Sequence, residues 1–167
     1  AVRTLSDAGI NMEYMYAFNG ATPHHAYVVL RVDDNEKVEE VVVENDVIQV
    51  SFSTLGAQIL DVTLKNYTKY APKEERNELV HLFDPASARF NMSYVLKEEQ
   101  NLVELKTLDY NFEVPSVEQF DHKSVVTMRL PIGEGSIDHI YTIYNEQKPE
   151  RDYMVDFDVR LNDRAPM

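Results

Sequence analysis

No cysteine occurs anywhere in the 167 residues. That absence excludes disulfides, Cys-ligated zinc, thiol nucleophiles and iron–sulfur clusters, and it fits any redox compartment. Positive charge is scarce: 16 Lys and Arg stand against 29 Asp and Glu, a formal net charge of −13. Such a surface repels phosphate, which argues against nucleic acid as a partner and against a direct electrostatic grip on anionic lipid. Long apolar runs are missing too. Stretches such as residues 26–30 and 41–43 fall far short of the roughly 20 residues a membrane helix needs, so no direct span is expected in this chain. No Gly-rich phosphate loop, nucleophile elbow or HExxH run is present. The N-terminus shows no signal-peptide pattern, and it opens in what reads as mid-helix. The pattern runs to Met167 without a stop, so the sequence reads as a piece of a longer polypeptide.

What is present is the composition of a folded domain, 44% hydrophobic and 27% charged. The first 40 residues and the remainder follow different rules. Residues 1–8 read as the last turns of a helix capped by Gly9, and 10–18 as a strand rich in aromatics and Met. Residues 26–32 read as a second strand. Asp33, Asp34 and Asn35 offer N-cap oxygens, and a short helix is expected from Glu36 to about Val42.

From Asn45 the period becomes two. Ile48, Val50 and Phe52 point one way and Gln49, Ser51 and Ser53 the other. Leu60, Val62 and Leu64 alternate with Asp61, Thr63 and Lys65, and Val126, Met128 and Leu130 with Thr127 and Arg129. Tyr153, Val155, Phe157, Val159 and Leu161 alternate with Asp152, Asp156, Asp158 and Arg160. Alternation over this many segments predicts half-buried antiparallel strands. Turn signals fall at Leu55-Gly56, Asp84-Pro85, 131–135 and 145–149, with a charged turn at 98–101 and a longer polar loop at 115–123. Residues 71–77 read as a short helical turn or a solvated loop. Seven or eight strands in about 120 residues predict a sandwich or part of a larger one.

Two resemblances follow from particular runs. The run from Ala1 to Phe18 and the run Ala26-Tyr-Val-Val-Leu-Arg-Val-Asp-Asp-Asn-Glu-Lys37 resemble part of an ACT domain, the small α+β regulatory module. Its first strand, the loop after it and its last strand are missing, so no ligand residues carry over. The second resemblance covers about three quarters of the chain. Val43-Glu-Asn-Asp-Val-Ile-Gln-Val-Ser-Phe-Ser-Thr-Leu-Gly-Ala-Gln-Ile59 looks like the opening hairpin of the periplasmic domain of YidC-type membrane protein insertases. Leu82-Phe-Asp-Pro-Ala-Ser-Ala-Arg-Phe-Asn-Met92, Ile137-Asp-His-Ile-Tyr-Thr-Ile143 and Asp152-Tyr-Met-Val-Asp-Phe-Asp-Val159 add to it, with a Bacteroides-like flavour. Gly56-Ala57 stands where that family has a glycine pair, which would strain Ala57 if the position needs positive φ.

The expected fold is therefore mainly β: an ACT-like α+β fragment at 1–42 ahead of a truncated antiparallel β-sandwich, part of a β-supersandwich, at 43–167. The resemblance implies a non-catalytic accessory domain on the periplasmic face of the bacterial inner membrane. It would assist membrane protein insertion or folding by binding protein, with membrane proteins and translocon components as partners through the full-length insertase. Open strand edges would also favour self-association. The rival readings are an ACT-type module that binds an amino acid and a carbohydrate-binding sandwich.

No residue set reads as catalytic, cofactor-binding or metal-binding. His24-His25 would point to opposite faces of a strand, and His81, His122 and His139 are far apart. Asp156 and Asp158 share a strand face, with Asp138 on a neighbouring strand, but calcium needs six to eight oxygens, usually from a loop. These acids read as a solvated face that discourages edge pairing. Tyr14, Tyr16 and Phe18 read as sheet packing. Phe90, Tyr94, Tyr110 and Phe112 are the candidates for a groove that takes an extended peptide, with core packing as the alternative.

Overall fold

The computed structural model describes residues 12–19, 26–32, 38–70, 77–98, 100–113 and 115–162. Six strands form one antiparallel meander: β1 (Met12–Asn19), β2 (Ala26–Val32), β3 (Glu39–Glu44), β4 (Ile48–Ser53), β5 (Gln58–Thr68) and β6 (Leu79–His81). A two-stranded ribbon follows, β7 (Ser93–Glu98) with β8 (Asn101–Lys106). The last sheet holds β9 (Ser116–Gln119), β10 (Lys123–Ile132), β11 (Gly135–Tyr144) and β12 (Val155–Asn162), in the order β12-β11-β10-β9. One helical turn, α1 (Pro149–Asp152), joins β11 to β12. Among the described residues, no helix is long and apolar enough to cross a membrane.

The core lies between the two larger sheets, as the alternation predicts. Ile48, Val50 and Phe52 from β4 are fully buried, as are Val126 and Met128 from β10. Ile137, Tyr141 and Ile143 from β11 join the same cluster, and the Phe52 and Tyr141 rings meet at 5.0 Å. Each such aliphatic or aromatic side chain contributes about 1.5–3 kcal/mol relative to exposure.

Four expectations need correction. Residues 39–42 are strand, not helix: Val41, Val42 and Val43 are all buried, and β3 pairs with β2 on one side and β4 on the other. A β-branched run buried on both faces belongs in the interior of a sheet, and that outweighs the acids that suggested a helix start. The division expected after residue 42 thus falls inside β3.

Leu60 does not share a face with Val62 and Leu64. A bulge between the pairs Ser51↔Asp61 and Phe52↔Ile59 leaves Leu60 unpaired and puts Ile59 against the core instead. Within the expected loop at 115–123, Ser116–Gln119 is an edge strand, with Val117 opposite Val126. An edge strand needs to bury little, so one valine among polar residues suffices. Lastly, β12 is the other edge of that sheet, and its apolar face is only partly covered. Tyr153, Val155 and Val159 are half-buried, while Phe157 is 38% and Leu161 64% exposed.

The turn between β4 and β5 has φ of 75° at Gly56 and 48° at Ala57. Ala57 therefore occupies the left-handed region where a Cβ is costly. Its carbonyl shows what holds it there: it accepts the Tyr141 hydroxyl at 2.7 Å from the opposite sheet. A second tie crosses the sandwich at Asn45. This fully buried side chain donates to the carbonyls of Tyr144 (2.6 Å) and Asp152 (2.7 Å). It also accepts the N–H groups of Val47 and Ile48, both at 2.8 Å. The readings on residues 1–8, on His24-His25 and on 71–76 lie outside the described residues.

Candidate functional site

Edge position and the bulge together leave one end of the sandwich open. After β6 the chain runs through Leu82 and Phe83 into a tight turn at Asp84. There the carboxylate accepts the Ala86 N–H at 3.0 Å, and the Asp84 carbonyl accepts the N–H groups of Ser87 and Ala88, each at 2.9 Å. Proline at position 85 presets such a turn. The segment then returns to Phe90, whose N–H is fixed by Gln58 Oε1 at 2.9 Å. Between this segment, Ile59 on β5, Tyr141 on β11 and Phe157 on β12 lies an apolar groove of about 550 Å³. Leu82 (54% exposed) and Phe83 (48%) stand at its mouth, and Phe90 meets Phe157 edge-on at 5.5 Å. Asp84, Ser87 and Arg89 supply its polar positions.

The four aromatic candidates do not share this groove. Phe90 lines it. Tyr94 is half-buried on β7, and Phe112 is 3% exposed, inside the core. Tyr110 faces a separate small cavity of about 150 Å³ beside Leu96, Val103 and Leu130. Phe90, Tyr94 and Phe112 are instead gathered around His139, with ring separations of 6.5, 6.3 and 5.0 Å. Alternation along β11 places His139 inward among Ile137, Tyr141 and Ile143, which is the one signal that could have marked it. Leu82-Phe83, next to a proline turn, was the available signal for the groove.

The polar clusters read as structure. Asp138, though on the outer face of β11, is 1% exposed. Arg129 grips it through two bonds of 2.8 and 2.9 Å, and Asn162 adds a third at 2.8 Å. The Arg129 bonds hold the Asp138 carboxyl below the usual range against the opposing effect of burial. Asp156 accepts the Tyr144 hydroxyl at 2.7 Å and pairs with Arg151 at 3.2 Å, while the guanidinium stacks 3.9 Å from the Tyr144 ring. His81 pairs with Asp61, and Thr63 bonds both. Carboxylate and hydroxyl meet the same ring nitrogen, Nδ1, so the ring cannot pass a proton between them as a catalytic triad does. Among the described residues, no three metal-binding side chains converge.

Comparison with known proteins adds the following. A family model described as the YidC periplasmic domain matches residues 40–165. The membrane protein insertase YidC of Azobacteroides pseudotrichonymphae is 30% identical over 118 residues, covering 70% of this chain and 16% of that protein. Its counterpart from Parabacteroides distasonis is 34% identical over 117 residues, with the same two shares. The matched stretch thus spans 16% of the length of these curated relatives. No solved structure gives a significant match. The ACT-like resemblance of the first forty residues finds no support.

Proposed function

The chain belongs to the YidC periplasmic-domain family, and from that premise we propose that it is an extracytoplasmic accessory domain of a membrane protein insertase, acting by binding protein rather than by chemistry. Its place would be the periplasmic face of the inner membrane, and its partners membrane proteins in transit and components of the translocon. The observation that carries the binding role is the open groove. Adjacent exposed Leu82 and Phe83 stand over a recess floored by Tyr141 and Phe157, with few polar groups. A concave apolar surface with a small number of polar positions is the usual form of a binding site. The neighbouring β12 is an edge strand, so an extended segment could pair with it while setting side chains into the groove.

The test is fluorescence anisotropy with a labelled apolar peptide taken from a membrane protein client. Wild type should bind it saturably. Leu82→Asp with Phe83→Asp should weaken binding at least about tenfold, the equivalent of roughly 1.4 kcal/mol. Both positions are half exposed, so the pair should leave the melting temperature nearly unchanged. Equal affinity in the double variant would remove the groove from the account.

A further inference from the structure

His139 is fully buried at the place where all three sheets meet. It sits on β11 of the four-stranded sheet. Its Nε2 lies 3.1 Å from the Tyr94 hydroxyl on the ribbon, and its Nδ1 3.4 Å from the Ala57 carbonyl on the six-stranded sheet. A carbonyl can only accept, so Nδ1 carries the proton, and Nε2 must accept from Tyr94. Every partner is then satisfied by a neutral ring.

A second proton leaves the bond to Ala57 in place but disturbs the link to Tyr94. Nε2 becomes a donor, so the Tyr94 hydroxyl has to turn its own hydrogen elsewhere. The acceptor within reach is the Met92 thioether at 3.5 Å, a weak one. The new charge also finds no counter-charge among the described residues. The groups packed on the ring are Phe90, Phe112 and Phe157, together with Tyr94 from β7 and its strand partners Met128 and Val159. The Tyr141 phenol lies on the same face of β11, and burial keeps it protonated. A buried unpaired cation is expensive unless water reaches it. Two of the packed rings, Phe90 and Phe157, border the open groove. Among the described residues the ribbon shares no ladder with either larger sheet. Backbone bonds such as Gly56 N–H to Tyr110 and Phe112 N–H to Thr54 hold only the chain beyond β8, and the ribbon itself is attached by side-chain contacts such as Tyr94 to His139 and the buried Leu105.

We propose that His139 is a proton-operated latch: when its imidazole takes a second proton, the β7–β8 ribbon and the segment bearing Phe90 part from the four-stranded sheet while the two larger sheets stay folded. Burial holds the ring's affinity for that proton below the ordinary histidine value. The latch is therefore closed at neutral pH and strained as pH falls below about 6.5, by up to about tenfold in the local opening equilibrium per pH unit. This inference stands without the peptide-binding reading.

The test follows the ring and the ribbon in the same protein. NMR titration of the histidine Cε1–H signals should show His139 protonating below the ordinary histidine value of about 6.5. Amide exchange, corrected for its intrinsic pH dependence, should show residues 93–98 and 101–106 losing up to about fivefold protection between about pH 6.5 and about pH 5.5, with β10 and β11 unchanged. In His139→Phe, which keeps the ring and removes the titration, that pH dependence should vanish. His139→Gln should behave likewise if the phenyl ring disturbs packing. An ordinary His139 titration, a ribbon whose protection ignores pH in the wild type, or the same pH dependence in both variants would each overturn the proposal.

Discussion

Replacing Asn45 by alanine should be among the most damaging single substitutions in the described part of the chain. The side chain makes four bonds of 2.6–2.8 Å, two given and two received, so all its capacity is used. A buried hydrogen bond contributes about 0.5–1.5 kcal/mol net, and a buried partner left unsatisfied costs about 1–3 kcal/mol. Water can reach some of the freed groups, so the sum for Asn45→Ala is about 3–5 kcal/mol, a large share of the roughly 5–15 kcal/mol that holds a domain folded.

Asn45→Asp sharpens the test because it is nearly isosteric. It keeps the two acceptor bonds but sets a carboxylate oxygen against the Tyr144 and Asp152 carbonyls. The folded protein can hold that residue only protonated, so its folded pKa is raised above the unfolded value of about 3.9. The variant's stability relative to wild type is then best below about pH 4 and falls as pH rises from there. Urea unfolding followed by circular dichroism at several pH values measures both variants. A loss under about 1 kcal/mol for the alanine variant, or an aspartate variant that gains on wild type as pH rises, would refute the account of this residue.

Two further outcomes are expected. Gly56→Ala should lower stability by about 1–3 kcal/mol, since a Cβ there meets Leu108 Cδ2 at 2.9 Å on a backbone with φ of 75°; thermal melting checks it. Asp138, whose carboxyl is held low by Arg129, contributes stability that is present above the unfolded value of about 3.9 and lost as pH falls through its folded value. In Asp138→Asn, acid unfolding between about pH 4 and about pH 2 should therefore be shallower than in wild type, and an unchanged acid limb would count against the Arg129 pairing.

The strands of the two main sheets were legible where burial is one-sided. Ile48 to Ser53 and Val126 to Leu130 alternate because one face meets the core and the other does not. Reading failed where that condition fails. Val41–Val42–Val43 is buried on both faces, so it carries no alternation, and the acids before it suggested a helix. Leu60 is displaced by a bulge, which nothing in a period-two pattern announces. The groove was harder still. Phe90 and Phe112 look alike in the sequence, but one lines an open recess and the other fills the interior, and the difference is made by residues far along the chain such as Phe157 and His139. His139 looked like one of several scattered histidines, because its importance lies in contacts 45 and 82 residues away.

Each ladder in the described sheets joins strands that are neighbours along the chain. Hairpins of this kind close small loops and can zip in sequence order, at little entropic cost. The bonds from Asn45 to Tyr144 and from Tyr141 to Ala57 span 99 and 84 residues. Folding should accordingly run as two quick local events, one per meander, followed by a slower docking in which these distant contacts close. Until that last step the valines of β3 and the apolar face of β10 lie bare, which makes the interval before docking the moment of greatest risk for aggregation.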